Sequence, residues 1–447
     1  MEKVCIILLA NFIFYAKTVK FGYVSDDIAA TTRNYPSNIW HHIIWILEGK
    51  LKCVRKGKQH PDIDHAVTIM FHALVCVGIY MVFGRNDISF MAALLFSFNP
   101  INNQVSVWIA GRNYAIGALG LLYAMALPLQ LSGLMLLVAT YSNGAFLMPI
   151  VFITKRPDLL IFMPLVWMFS WKNFSKNFLA KAKIEVFIED KEMKPQKLTL
   201  MVKTFGFYLS HSLLPIKNTF YHSLLESIAG SKSYRAYSFC RYFWFGLFSL
   251  CVMVLYIATH KWDMVCFGVL WWCIGIAPFL NLRRMQQEIA ERYCYIPNIG
   301  LMLVLACFIH CSPFLCGGIL MMYATKMWFY MNCYQSDFWI IETARINSPD
   351  SWFCWHMAAV KRFEKQSYME AMIFWVEAKL ISPKEFKILH NLAACTFLVF
   401  RNLPETIKLL DEAQKNIPKG QEKMGNAIIN NFRMALKNKE VKIPILI

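Results

Sequence analysis

The chain has 447 residues, 57% of them hydrophobic and only 17% charged, with a mean hydropathy of +0.40. That balance is too apolar for a water-soluble chain of ordinary charge content and points to a bilayer as the solvent. The 46 Lys and Arg against 28 Asp and Glu give a net charge of +18; this suits an anionic membrane surface, and no nucleic-acid module is recognisable that would make nucleic acid the partner.

From the N-terminal end, apolar blocks long enough to cross about 30 Å of hydrocarbon alternate with short polar stretches, as spanning helices require. About eleven are read, starting near residues 3, 65, 88, 113, 131, 158, 200, 240, 264, 297 and 313. The first, Val4 to Ala16, lacks a small-x-small cleavage site, so it reads as a retained anchor ending in Lys17 and Lys20, whose long stems allow snorkelling. The 14 Cys are scattered through the apolar blocks without a C-x-x-C pair and read as packing residues.

After the first block comes SDDIAATTRNY, residues 25–35, which sets Asp26 and Asp27 at the membrane boundary. Adjacent carboxylates there are costly unless used or paired. One is suited to act as a general base on a hydroxyl while the other orients an acceptor or a metal; a solvated helix cap is the structural alternative. Trp40, His41, His42 and Trp45 fit an amphipathic interfacial helix between Asn38 and Leu47. A basic cluster follows at Lys50, Lys52, Arg55, Lys56 and Lys58. In HPDIDH, residues 60–65, His60, Asp62, Asp64 and His65 have metal-ligand chemistry, but they read as solvated loop and helix-cap groups, and no metal or other cofactor is assigned.

Between the third and fourth blocks lies NPINNQVSVWIAGRN, residues 99–113. The amides of Asn99 and Gln104 suit sugar hydroxyls, and Arg112 suits a phosphate; satisfaction of a tight inter-helix turn is the alternative. After the sixth block, Lys172, Lys176, Lys181, Lys183, Lys191, Lys194, Lys197 and Lys203 mark a cytoplasmic loop by the positive-inside rule. Counting spans from there puts the N-terminus in the cytoplasm, and the loop 22–64 and the C-terminal domain on the outer or luminal side. The basic cluster at Lys50–Lys58 runs against this count, but long loops can translocate despite their charge.

After the ninth block, NLRRMQQEIAERYCYIP, residues 281–297, concentrates Arg283, Arg284 and Arg292 on the same outer side. Their planar, multidentate donors suit phosphate oxygens, and Tyr293 and Tyr295 suit the headgroup level, against a sugar or acceptor. General attraction to anionic lipid is the structural alternative. Past residue 337 the apolar blocks end. Pro349, Pro383 and Pro418 keep a period of about 34 residues, while Ala371 with Ala378, and Thr406 with Ala413, supply small residues for close helix approach. Trp355 opens a first helical hairpin, Leu389 is its counterpart in a second, and a last helix is expected near 420–437.

Together these segments resemble the transmembrane and tetratricopeptide-repeat O-mannosyltransferases and their short prokaryotic-type relatives, along nearly the whole chain. The sharpest likeness is AERYCYIPNIG, residues 290–300, to A-E-R-x-L-Y-x-P-S-x-G, preceded by PFLNL for P-x-x-N-L. SDD is similar to the family's D-D, NPINNQVSVWIAGR to H-P-x-x-x-E-x-V-x-W-I-x-G-R, and FYLSHSLLPIKNTFYH, residues 207–222, more loosely to Y-x-x-x-L-L-x-P. The resemblance implies an all-α polytopic GT-C bundle of about eleven transmembrane helices over 1–337, followed by a short α-solenoid of tetratricopeptide hairpins over 338–447. It implies transfer of one sugar, with inversion, from a polyprenyl-phosphate donor to a hydroxyl acceptor on a protein or glycan, in the plasma, inner or endoplasmic reticulum membrane.

In that scheme Asp26 is the base and Asp27 its neighbour, Arg292 with Arg283 or Arg284, and Arg112, hold the donor phosphate, and the repeats dock the acceptor or a protein partner. Asn99 and Gln104 depart from the family's His and Glu, and neither can act as acid or base, so the acidic pair of the first loop carries the chemistry alone, or the donor differs, or activity is lost. A noncatalytic membrane scaffold using its repeats is the alternative. A transporter of lipid-linked saccharide needs polar residues deep in the spans, and few are expected.

Overall fold

The computed structural model describes residues 1–27, 39, 43, 46, 54–55, 58–140, 156–168, 197–224, 239–260, 262–281, 289–417, 421–437 and 445–446. Arg283, Arg284, nearly all of the basic loop after the sixth block and most of the stretch from 28 to 57 lie outside them. Among the described residues the chain is helical apart from one antiparallel pairing of two-residue strands, Val54–Arg55 with Lys58–Gln59. It separates into two compact units, one of Met1–Lys181, Pro195–Asn218 and Phe239–Asp337, the other of Phe338–Ile447 with Ala182–Lys194 and Thr219–Ser238.

Among the described residues, the longer helices of the first unit are α1 (Glu2–Tyr15), α2 (Pro61–Val82), α3 (Asp87–Phe98), α4 (Arg112–Ala126), α5 (Leu129–Ala139), α6 (Lys197–Leu213), α7 (Arg241–Thr259), α8 (Met264–Ile276), α9 (Tyr295–Ile309) and α10 (Pro313–Tyr330). Pro61 begins α2 at a position where its missing N–H costs nothing, and Asn86 and Ser89 form a reciprocal capping box that starts α3. Among the described residues, three helical stretches are long and apolar enough to cross a membrane: Pro61–Val82, Arg241–Thr259 and Glu291–Ile309. A fourth candidate is broken: Pro100–Ser106 and Ile109–Ala126 meet at 94°. α1, at 14 residues, is about 21 Å long, short of the hydrocarbon thickness by itself. α7 exposes Phe245, Phe248, Val252, Val254 and Leu255, an apolar surface of the kind lipid covers.

The packing of α8 on α9 explains two glycines. A Cβ on Gly300 would lie 2.4 Å from the Gly268 carbonyl oxygen, so the two backbones touch where neither residue can carry a side chain. Lys203, assigned from sequence to the basic loop, instead lies in α6 and is 2% exposed. The interior is also more polar than the apolar blocks suggest. The Tyr15 hydroxyl donates to the Ser97 carbonyl, Tyr295 Oη lies 2.7 Å from His72 Nδ1, and Ser97 Oγ donates to Asn11 Oδ1 at 2.9 Å.

The second unit contains α11 (Asp337–Asn347) apart from its first residue, Asp337, which belongs to the first unit, and α12 (Trp352–Glu364), α13 (Tyr368–Ile381), α14 (Phe386–Phe400), α15 (Leu403–Lys415) and α16 (Glu422–Lys437). α12 pairs with α13 and α14 with α15, two successive hairpins followed by one helix. Ala371, Ala378, Thr406 and Ala413 are fully buried at the contacts, small enough to let the helices close on one another. Ser351 and Asn402 cap α12 and α15 through the N–H groups of Cys354 and Glu405.

Candidate functional site

Three segments of the first unit converge: Tyr23–Asp27, the broken stretch Asn99–Arg112, and Glu291–Tyr295. Non-helical backbone at such a break leaves N–H and C=O groups that need partners, and the side chains of these segments supply several. Ile101 N–H donates to Asn99 Oδ1 at 3.1 Å, and the Asn99 amide donates to the Ser212 carbonyl at 2.8 Å. Ala110 N–H donates to Asp27 Oδ1 at 2.9 Å, and Trp108 Nε1 to the Val24 carbonyl at 3.4 Å. Gly111 permits the tight return, since a Cβ there would fall 2.1 Å from the Gln104 carbonyl oxygen.

The adjacent carboxylates of the first loop have different fates. Asp27 is fully buried and serves the backbone of the broken stretch; Asp26 is exposed. Ser25, just before them, has φ +53, a left-handed conformation that costs a residue with a Cβ roughly 1–2 kcal/mol. It is held there by its own N–H, which donates to Asp337 Oδ1 at 2.6 Å. The turn so fixed directs the two neighbouring carboxylates to different surroundings.

Arg292 is the positive counterpart. It is partly buried, its guanidinium carbon lies 5.5 Å from the Trp108 ring centre and 5.1 Å from that of Tyr293, and it interacts electrostatically with Asp26 and hydrogen-bonds Tyr114. Its Nη1 donates to Gln104 Oε1 at 3.4 Å, and its backbone N–H reaches the same oxygen at 3.3 Å. Asp26 thus lies within electrostatic range of Arg292, whose guanidinium the Gln104 amide orients.

Several residues assigned a ligand from sequence are instead structural. Arg112 is 5% exposed and donates to Asp64 Oδ1 at 3.0 Å, so it is committed to a buried ion pair rather than to a phosphate. Asp64 also accepts from the Tyr23 hydroxyl at 2.8 Å, and His65 lies 3.1 Å from the Val107 carbonyl oxygen. Of the four His and Asp residues in HPDIDH, Asp64 and His65 are buried and only His60 and Asp62 are open to solvent, which corrects the reading of all four as solvated. Asn99 is fully buried as a turn-forming amide, Tyr293 is stacked 4.4 Å from Phe279, and Tyr295 is a core residue against His72 and Phe96; none of the three is a free ligand. Within AERYCYIPNIG, Glu291 is buried and accepts from Asn218 at 3.1 Å and from Tyr330 at 3.1 Å.

The sequence reading missed Asp64, Tyr23 and Glu291 as parts of this polar layer. The signal for Asp64 was present: an acidic residue on the threshold of an apolar helix needs a counter-charge, and Arg112 enters the next long helix at the same boundary. Lys17 was expected to snorkel, but its ammonium lies over the Trp328 ring, 3.8 Å from its centre, and donates to Asn332 Oδ1 at 3.1 Å; the partial burial lowers its pKa below the ordinary value. A cavity of about 360 Å³ beside it is lined by Lys17, Lys20, Phe21 and Gln335. Among the described residues, no group of three His, Cys, Asp or Glu side chains is arranged to hold a metal ion. Compared with known proteins, the chain matches no family model, no curated protein and no solved structure.

Proposed function

We propose that the chain is a membrane glycosyltransferase that moves one sugar from a polyprenyl-phosphate donor to a hydroxyl acceptor, on a protein or glycan, at the outer or luminal side of the membrane. The proposal takes the first unit as a polytopic GT-C-like bundle of about eleven spans and the hairpins of the second as tetratricopeptide repeats. The single observation that carries it is a guanidinium, Arg292, held by Gln104 beside a broken apolar helix and within electrostatic range of exposed Asp26. A carboxylate open to solvent suits a general base that removes the acceptor proton as the hydroxyl attacks the anomeric carbon. A guanidinium held by an amide and two aromatic faces suits the charge that gathers on the departing lipid phosphate. Asp27 would act as a positioning residue, holding the broken stretch through Ala110.

The test is sugar transfer in membranes from a polyprenyl-phosphate-linked sugar. Asp26→Asn should abolish transfer with protein abundance unchanged, and wild-type transfer rates in this variant would overturn the assignment. The second reading is a noncatalytic membrane scaffold that uses its repeats to hold partners. Its support is the structural employment of Asn99 and Arg112, which removes two of the expected ligands. An unchanged glycan profile in a deletion strain favours it, while loss of a defined sugar favours the enzyme.

A further inference from the structure

The hairpin unit holds a short peptide segment through a reciprocal pair of hydrogen bonds to its main chain. Leu446 N–H donates to Asn391 Oδ1 at 2.8 Å, and Asn391 Nδ2 donates back to the Leu446 carbonyl at 2.7 Å. A single residue offers its N–H and C=O to one side only when its backbone is extended, as in the hydrogen-bonded pairs of an antiparallel sheet. The Asn391 amide therefore reads the segment as a neighbouring strand would. Ile445 and Leu446 lie against the core formed by α12 to α16, in which His390 meets Phe432 at 5.2 Å between ring centres. Trp375 Nε1 donates to His356 Nδ1 at 3.1 Å, which leaves the imidazole proton on Nε2, and the Leu446 backbone is the group that favours a charged His356.

These polar ties address main chain, not side chain. Nothing in them is specific to this segment beyond an extended backbone and aliphatic side chains that fit the apolar floor. We propose that the face around Asn391 is a binding site for an extended aliphatic stretch of another polypeptide, and that residues 445–446 occupy it as an intramolecular strap that the partner displaces. The proposal does not depend on sugar transfer, and it stands or falls separately from the enzyme reading.

The experiment uses the whole chain in detergent and, as probe, a fluorescein-labelled peptide of residues 441–447. Removal of residues 441–447 from the chain should tighten peptide binding at least about tenfold, because the tethered segment competes at high effective concentration. Leu446→Pro in the full chain removes the same N–H without removing the segment, and should open the site similarly. A peptide N-methylated at the position of Leu446 should bind the truncated chain at least about tenfold more weakly, a result that needs no altered protein fold. Equal binding by intact and truncated chains of matching helicity, or no effect of the N-methyl group, would overturn the proposal. So would concentration-dependent dimerisation of the intact chain that is lost on removal of the segment, since the occupant would then be a second copy.

Discussion

Two carboxylate–guanidinium pairs in the first unit show how differently the same chemistry can be employed. Asp64 and Arg112 are both almost wholly buried, joined at 3.0 Å and further satisfied by Tyr23 and the Ile109 carbonyl. Asp26 and Arg292 attract one another across a more open gap, with Asp26 exposed and Arg292 partly so. A pair that is closed and fully hydrogen-bonded has no capacity left for a substrate, whereas an open pair can exchange its partner for a ligand's phosphate or hydroxyl. The first therefore belongs to the fold and the second to the proposed chemistry.

The largest expected effect breaks the closed pair. Removing one partner leaves an uncompensated buried charge, which costs about 3–5 kcal/mol. Asp64→Ala should thus lower the midpoint of thermal unfolding in detergent by many degrees, and Arg112→Met should do the same. The double variant Asp64→Leu with Arg112→Met should recover much of the loss, because replacing both charges by apolar groups removes the desolvation cost as well. If the single variants melt with wild type, the pair is not the anchor of this polar layer.

The open pair should behave in the opposite way. Arg292→Ala should leave the unfolding midpoint within a few degrees of wild type but reduce sugar transfer about 10²–10³-fold, the range typical for loss of one donor to developing negative charge. Arg292→Lys keeps the charge but loses the fork that meets both Gln104 and a phosphate, so it should restore only part of the rate. Equal stability losses at Arg112 and Arg292 would erase the distinction drawn between the two pairs.

A smaller effect concerns pH and belongs to the second unit. Burial pushes His356 down to about 3 from its ordinary value of 6.5. The folded imidazole stays neutral while the unfolded one takes up a proton, so stability is full above pH 6.5 and falls as the pH drops from there towards 3. Hydrogen exchange in α14 at pH 7 and pH 4.5, corrected for intrinsic rates, should show loss of protection at the lower pH. His356→Phe should flatten that dependence even if it changes overall stability; an unchanged pH dependence would remove His356 as its source.

The helical character of the chain and the hairpins after Asp337 were legible because they rest on local signals: apolar runs, Pro at helix starts, and Ala371, Ala378, Thr406 and Ala413 at contact positions. The polar layer was legible only in composition. The sequence marks NPINNQVSVWIAGRN as unusual, but not that Asn99 spends its amide on a turn, that Gln104 serves Arg292, or that Gly111 exists for a backbone approach. Those assignments depend on contacts over long sequence separations, such as Asp27 with Ala110 and Arg292 with Gln104, which no local periodicity encodes. AERYCYIPNIG illustrates the same limit: Glu291, Tyr295 and Gly300 are consumed by packing, and only Arg292 keeps a partly open side chain.

The smallest expected effect tests the left-handed turn in front of the two acidic neighbours. Ser25 holds φ +53 in front of Asp26 and Asp27, anchored by its N–H to Asp337. Glycine adopts that conformation without a Cβ penalty but adds entropy to the unfolded chain, so Ser25→Gly should change stability by no more than about 1 kcal/mol in either direction. Ser25→Val places a β-branched side chain where it fits worst and should destabilise by about 1–2 kcal/mol. If the left-handed turn also sets where Asp26 points, Val should lower transfer more than it lowers abundance, and Gly should spare both. Indistinguishable behaviour of the two variants would mean that the turn relaxes freely and that Asp26 takes its position from elsewhere.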